Sequence, residues 1–111
     1  MKAMQQIWQV AALIPAGKVA SYGQIADLAG LPGRARLTSK ALKAAPKSLQ
    51  LPWFRVVRSS GQIAFPKGSE HAIKQYDHLI SEGVLVKSMR VRMAEYQWQP
   101  DLNTLLFELN F

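Results

Sequence analysis

Ser21-Tyr22-Gly23-Gln24 begins the segment that decides the fold, residues 21–45. A serine with a glutamine three residues later is the pattern of a capped helix start, because both side chains can bond free backbone N–H groups of the first turn. Ile25-Ala26 and Leu28-Ala29 then supply an apolar stripe at helical spacing, and Gly30 can close the end. These residues predict a short helix.

A second, basic helix is predicted directly after the turn Leu31-Pro32-Gly33. From Arg34 to Ala45, small and apolar side chains fall on one side of the helix and basic ones on the rest. The first group is Thr38, Ala41, Leu42 and Ala45, and the second includes Arg36, Lys40 and Lys43. Two short helices joined in this way have the outline of a helix-turn-helix, whose second helix approaches a groove of DNA. An ordinary helical hairpin with a solvated charged face fits the same spacing equally well.

The flanking segments add one helix before this pair and several short elements after it. A first helix is predicted from Ala3 to Ile14. Beyond the pair we expect a short hairpin or strand-edged loop over residues 54–65, a half-buried strand over 89–93 and a short packed helix in the last dozen residues. A further helix is predicted to begin at a Ser69 cap and to end at Gly83. Its predicted inward-facing residues are Ile73, Tyr76, Leu79 and Ile80. The prediction is one α-rich α+β domain over residues 1–111.

The charge of the chain is concentrated in its middle. The formal net charge is +7, and half of the 14 basic residues lie between Arg34 and Arg58. No acidic residue occurs between Asp27 and Glu70. We therefore expect an anionic partner to meet this part of the chain. No apolar run approaches the roughly 18 residues of a membrane span, so a soluble cytoplasmic protein without membrane contact is expected.

The chain contains no cysteine, which excludes disulfides, thiolate metal sites and thiol nucleophiles. His71 and His78 are seven residues apart and have no evident third ligand nearby. We therefore predict that both are solvated and that the protein needs neither a metal nor another cofactor.

Leu51-Pro52-Trp53-Phe54-Arg55-Val56-Val57 resembles the Pro-Cys-His-Arg-Val active-site loop of the O6-alkylguanine-DNA alkyltransferases. Trp53 stands at the cysteine position and Phe54 at the histidine position. The resemblance extends from about residue 4 to 86 and includes four further segments, residues 21–26, 30–42, 59–61 and 81–84. One departure is Ala45-Pro46, where those enzymes have an asparagine before the proline.

Within that family, the chain is most similar to the alkyltransferase-like proteins, in which the cysteine is commonly replaced by tryptophan. Their usual loop is Pro-Trp-His-Arg, and this chain has Pro52-Trp53-Phe54-Arg55. The resemblance implies a winged helix-turn-helix-like domain, similar to the C-terminal domain of the alkyltransferases. It also implies a monomer that binds double-stranded DNA containing O6-alkylguanine from the minor groove, flips the nucleotide and passes the site to nucleotide excision repair proteins.

The resemblance also assigns roles to individual residues. Arg36 is the expected finger that fills the base stack, with an ordinary phosphate contact as the alternative. Tyr22 is expected to press on the phosphate beside the flipped base, with a core aromatic as the alternative. The implied DNA-binding residues are Tyr22, Arg34, Arg36, Thr38, Ser39, Lys40 and Lys43. The implied lesion pocket consists of Tyr22, Trp53, Arg55, Val56, Ser60 and Gly61.

The chemistry of the loop argues against an enzyme. Dealkylation needs a thiolate activated by an imidazole that a carboxylate orients. Trp53 and Phe54 supply neither group, so no catalytic residue is expected, and Glu82 is predicted to be a structural acceptor for loop N–H groups. Trp53 is expected to offer the alkylated base an apolar stacking face, although a simple core tryptophan is the alternative. The rival function is a winged-helix transcription regulator that reads sequence and has no lesion pocket.

Overall fold

The computed structural model describes residues 2–109, which form helices joined by very short strands. The helices are α1 (Lys2–Ala11), α2 (Tyr22–Leu28), α3 (Ala35–Ala44), α4 (Glu70–Ser81), α5 (Met93–Tyr96) and α6 (Leu102–Glu108). The strands are β1 (Ala20–Ser21), β2 (Val56–Val57), β3 (Val86–Lys87) and β4 (Arg90–Val91). Two 3₁₀ turns cover Lys47–Leu49 and Trp53–Arg55. The α-rich α+β prediction is confirmed.

Helix α2 begins as predicted, but its glutamine has a different partner. Ser21 Oγ accepts a hydrogen bond from the Gln24 backbone N–H at 3.0 Å. The Gln24 side chain does not bond back to the cap: it donates to the Trp98 carbonyl at 2.7 Å and accepts from Gln97 at 3.0 Å. The first turn of α2 is thereby tied to the segment that follows α5.

Helix α3 packs against both α1 and α2, which gives the predicted helix-turn-helix arrangement. Thr38 and Ala41 are fully buried. The Thr38 hydroxyl donates to the Tyr22 carbonyl at 3.0 Å, and the Trp8 indole N–H donates to the Ala41 carbonyl at 2.7 Å. Side-chain bonds to backbone groups of neighbouring helices fix the rotation of α3, and its basic side is left facing water.

Of the two alternatives expected for residues 54–65, the hairpin is wrong, and a loop with strand-like edges describes the segment. Strand β2 pairs in parallel with β1, so that Ala20 lies opposite Val56 and Ser21 opposite Val57. Of the second half of the predicted hairpin, only Gln62 makes a bridge, to Arg90. A fully buried pair of valines is typical of a strand inside the core, and its spacing cannot show which segment it pairs with.

Helix α4 has the predicted Ser69 cap and ends before Gly83, but of the four residues predicted to face inward only Leu79 does so. Ala72, Gln75 and Leu79 are the buried residues, whereas Ile73, Tyr76 and Ile80 are 53%, 45% and 40% exposed. The reason is the Gln75 amide, which donates to the carbonyls of Phe54 and Val56, both at 2.9 Å. Those loop carbonyls need donors, because an unpaired buried carbonyl costs about 1–3 kcal/mol.

The C-terminal part closes the core. Strands β3 and β4 form a hairpin, so the strand predicted over residues 89–93 is limited to Arg90–Val91. The helix predicted in the last dozen residues is confirmed as α6. Residues 110–111 of the predicted segment lie outside the described part of the chain. One apolar cluster joins α1, α2 and α3 with Trp98 and Leu105, and a second joins the strands with Leu79 of α4. No helix among residues 2–109 is long and apolar enough to cross a membrane.

Candidate nucleic-acid interface

An open cleft of about 1610 Å³ lies between α3 and α4, and Trp53, the first residue of the Trp53–Arg55 turn, is part of its lining. The basic residues lining it are Arg36, Lys43, Lys47, Arg58 and Lys74. Within the described part of the chain, no acidic residue lines the cleft. A concave surface whose charges are all of one sign focuses the field and attracts an anionic ligand.

The α3 wall of the cleft presents Arg36, Ser39 and Lys43. Tyr22, at the start of α2, lies beside them and is half-buried. Burial raises the pKa of the Tyr22 phenol, and the charge of nearby Arg58 partly opposes that rise. The phenol therefore stays protonated near neutral pH, so its O–H can donate a hydrogen bond to an anionic oxygen.

Trp53 is half-buried and is ringed by four aromatic side chains. Its ring centroid lies 5.9–6.3 Å from those of the four, all edge-on: Phe54, Phe65, His71 and His78. His78 stacks on Phe54 at 4.1 Å, and His71 stacks on Phe65 at 5.1 Å. The ring around Trp53 therefore combines flat apolar faces with two titratable imidazoles.

The sequence did not predict that His71 and His78 line the cleft. They are exposed, as predicted, but they also line the cleft and stack against rings from other segments. Their spacing of seven residues, two helical turns, indicates a shared helix face. The face of α4 that meets the cleft is fixed by Gln75, whose partners lie about 20 residues earlier in the chain.

Arg55 and Glu82 hold the Trp53–Arg55 turn in place. The Arg55 Nε donates to both Glu82 carboxylate oxygens, at 3.0 and 3.2 Å, and its Nη1 donates to the Ile14 carbonyl at 2.8 Å. Glu82 also accepts from the Gly17 N–H at 3.1 Å. The Arg55 hydrogen bond, and to a lesser extent the Gly17 amide, lowers the pKa of Glu82 against the opposing effect of burial. Glu82 is thus a structural acceptor, as predicted.

Replacing Glu82 with glutamine should destabilise the fold by about 1–2 kcal/mol at pH 7. Breaking a buried pair costs about 3–5 kcal/mol, and this pair lies at the edge of the solvent, with side chains 17% and 14% exposed. Because the folded pKa of Glu82 is lowered, its contribution is present above the unfolded value of about 4.3 and is lost as pH falls through the lower folded value. Urea titrations of both proteins from pH 7 to 3 measure this.

The two unfolding curves should therefore converge in acid. Glu70→Gln is the matched control, because the Glu70–Lys74 pair on α4 is exposed and screened by water. A constant gap between Glu82→Gln and the unsubstituted protein at every pH would contradict the assigned ionic role.

The structure brings together five of the residues predicted for the interface and leaves the others outside the cleft. Its lining contains Tyr22, Arg36, Ser39, Lys43 and Trp53. Outside the lining, Thr38, Val56 and Gly61 are buried, Arg55 is half-buried, and the exposed residues are Arg34, Lys40 and Ser60. Lys47 and Arg58 also line the cleft; they belong to the basic stretch expected to meet an anionic partner but were not assigned to the site. Lys74 was not predicted, because a lone basic residue gives no local signal of the surface that it faces.

Residues 2–84 match the family model described as 6-O-methylguanine DNA methyltransferase, DNA binding domain. The chain belongs to this family. It is 44% identical to a DNA base-flipping protein of Vibrio parahaemolyticus, over 86% of this chain and 94% of that protein. It is 33% identical to alkyltransferase-like protein 1 of Schizosaccharomyces pombe, over 86% and 93% of the two chains. The predicted resemblance to the alkyltransferase-like proteins is confirmed.

Solved structures of family members agree with the fold. The S. pombe protein Atl1, in complex with damaged DNA containing O6-carboxymethylguanine, has a TM-score of 0.78 at 33% identity, covering 89% of this chain and 96% of that one. The Mycobacterium tuberculosis protein OGT in complex with DNA has a TM-score of 0.60 at 32% identity, covering 72% and 48%. Members of the family thus share this architecture, and both structures contain DNA.

Proposed function

We propose that this protein is a non-catalytic sensor of DNA damage that binds guanine alkylated at O6 after flipping it out of the duplex. The observation that carries the proposal is Trp53, which is ringed by aromatic side chains and lines the same cleft as several basic residues. The S. pombe relative with the same architecture is bound to DNA that carries such a lesion. A flipped purine needs a flat apolar face to replace its lost stacking, and an indole provides one.

In this proposal, α3 and Trp53 have different roles in binding. Helix α3 enters the minor groove, where Lys43 and Tyr22 hold phosphates and Arg36 replaces the extruded nucleotide in the base stack. A guanidinium suits that position because it is planar and can both stack on bases and donate hydrogen bonds to them. The base then enters the cleft towards Trp53. Because a tryptophan has no nucleophilic sulfur, the alkyl group stays on the base and binding is reversible.

The cellular part of the proposal rests on the resemblance to the alkyltransferase-like proteins. In it, a single domain over residues 1–111 acts as a cytoplasmic monomer without a cofactor, and the lesion is handed to the damage-recognition proteins of nucleotide excision repair. The rival function, a winged-helix regulator that reads sequence, does not require a tryptophan ringed by aromatic side chains in a cleft of about 1610 Å³.

The central test compares two duplexes that differ by one methyl group on a single guanine. A duplex with one O6-methylguanine should bind at least about tenfold more tightly than its unmodified twin, because the weakened pair costs less to open. Fluorescence anisotropy at one fixed salt concentration measures both affinities, since salt alone changes DNA affinity strongly. Equal affinities would favour the regulator and refute the sensor.

A further inference from the structure

One face of α4 turns three nitrogen-bearing side chains towards the cleft. His71, Lys74 and His78 follow the spacing i, i+3 and i+7, and all three line the cleft. We call them the α4 stripe. The two imidazoles lie 6.0 and 6.3 Å from the Trp53 ring, measured between centroids. Any group projecting from a base held against Trp53 towards α4 therefore meets nitrogen donors.

The charged groups around the stripe leave its donors available to a ligand. Glu70, next to His71, is paired with Lys74 at 2.9 Å, but this pair is exposed and weak, so Lys74 can change partner. Glu82, which interacts with His78, has its carboxylate engaged by Arg55 and Gly17. The guanidinium carbon of Arg55 lies 5.1 Å from the Phe54 ring centroid, on the ring that also stacks with His78.

We propose that the α4 stripe selects O6-substituents that carry a carboxylate over neutral substituents of the same size. The inference rests on the proposed function and adds to it a class of preferred ligand. The carboxylate oxygens would accept hydrogen bonds from Lys74 Nζ and from the free ring N–H groups of His71 and His78. Charge-assisted bonds of this kind are about twice as strong as neutral ones.

The aromatic partners of the histidines strengthen this selection. Stacking on Phe54 and Phe65 fixes both imidazole planes, so little side-chain entropy is lost when a ligand binds. A neutral substituent gains only apolar contact with the ring around Trp53.

The test uses three duplexes that differ at one guanine: unmodified, O6-carbamoylmethyl and O6-carboxymethyl. The two adducts have nearly the same shape and differ by one charge. At one fixed pH and ionic strength, the carboxymethyl duplex should bind about tenfold more tightly than the carbamoylmethyl duplex, the effect of one charge-assisted hydrogen bond.

Substitutions show whether the stripe is responsible. The double substitution His71→Gln and His78→Gln should lower this ratio to about threefold or less, and adding Lys74→Gln should bring it close to one. Lys40→Gln is the matched control, because Lys40 is exposed on α3 and lies outside the cleft. This control should weaken all three duplexes alike and keep the ratio.

The outcomes separate this inference from the proposed function. If both adducts bind better than guanine but as tightly as each other, the selection by charge is wrong and the sensor stands. If the α4 substitutions weaken all three duplexes by one factor, the stripe contacts phosphates and the inference is overturned. If both adducts bind no better than guanine, the sensor itself is refuted.

Discussion

Replacing Arg36 with alanine should remove most of the preference for a damaged duplex, whereas replacing Lys43 should leave that preference intact. Both residues lie on the α3 wall of the cleft, and both are basic. Without the guanidinium, the gap in the base stack stays empty, and the flipped state loses on the order of a few kcal/mol. That loss is large enough to remove a preference of about tenfold, which corresponds to about 1.4 kcal/mol. Lys43 supplies only a phosphate contact in this proposal.

Two measurements distinguish the variants. Lys43→Ala should weaken damaged and undamaged duplexes by the same factor and reduce the slope of log affinity against log salt by about one unit. A 2-aminopurine placed beside the lesion becomes brighter when its stacking is lost, and at saturating protein the increase should be smaller with Arg36→Ala. If both variants lose affinity equally and give the same fluorescence, Arg36 is an ordinary phosphate contact.

Replacing Gly61 with alanine should destabilise the fold by about 3–4 kcal/mol. Gly61 has a φ of +90°, and an added Cβ would lie 2.0 Å from the Val91 carbonyl oxygen. The positive φ alone costs an L-residue roughly 1–2 kcal/mol, and moving a backbone carbonyl in a packed core adds about 1–3 kcal/mol. The shift also strains the 2.9 Å hydrogen bond from the Val91 N–H to the Gly61 carbonyl.

Gly68 offers a matched control, since its φ is +83° and nothing lies within 4 Å of an added Cβ. Gly68→Ala should cost only the conformational part, about 1 kcal/mol. Urea denaturation of the two variants measures the difference, and the melting temperature of Gly61→Ala should fall by at least about 10 °C. Equal losses from the two variants would mean that the contact with Val91 relaxes without cost.

The Gly61 result also bears on the proposed lesion pocket. In the structure, Gly61 is buried and accepts a hydrogen bond from Val91 of β4, and Val56 is buried in the core and accepts one from Gln75. Residues of this kind affect DNA binding through the shape of the loop that carries Trp53. Reduced affinity in Gly61→Ala should therefore be accompanied by reduced stability, whereas Arg36→Ala should lose selectivity without losing stability.

The sequence by itself determined the features that depend on near neighbours. The caps at Ser21 and Ser69, the end of α4 before Gly83 and the existence of the two helices α2 and α3 all follow from side-chain chemistry and periodicity within a few residues. The absence of cysteine, which removes the thiol nucleophile, is likewise a property of the sequence alone. So is the concentration of positive charge between Arg34 and Arg58. None of these depends on which distant segments meet.

Only the tertiary structure decided which groups face one another across the chain. It paired β2 with β1 across about 35 residues, and it rotated α4 so that Gln75 bonds to the loop carbonyls while Ile73 is exposed. The same rotation turns His71 and His78 towards Trp53. The physical reason is that buried carbonyls must find donors and apolar faces must find cover, and several segments could satisfy each need. Which one does so depends on the packing of the whole chain.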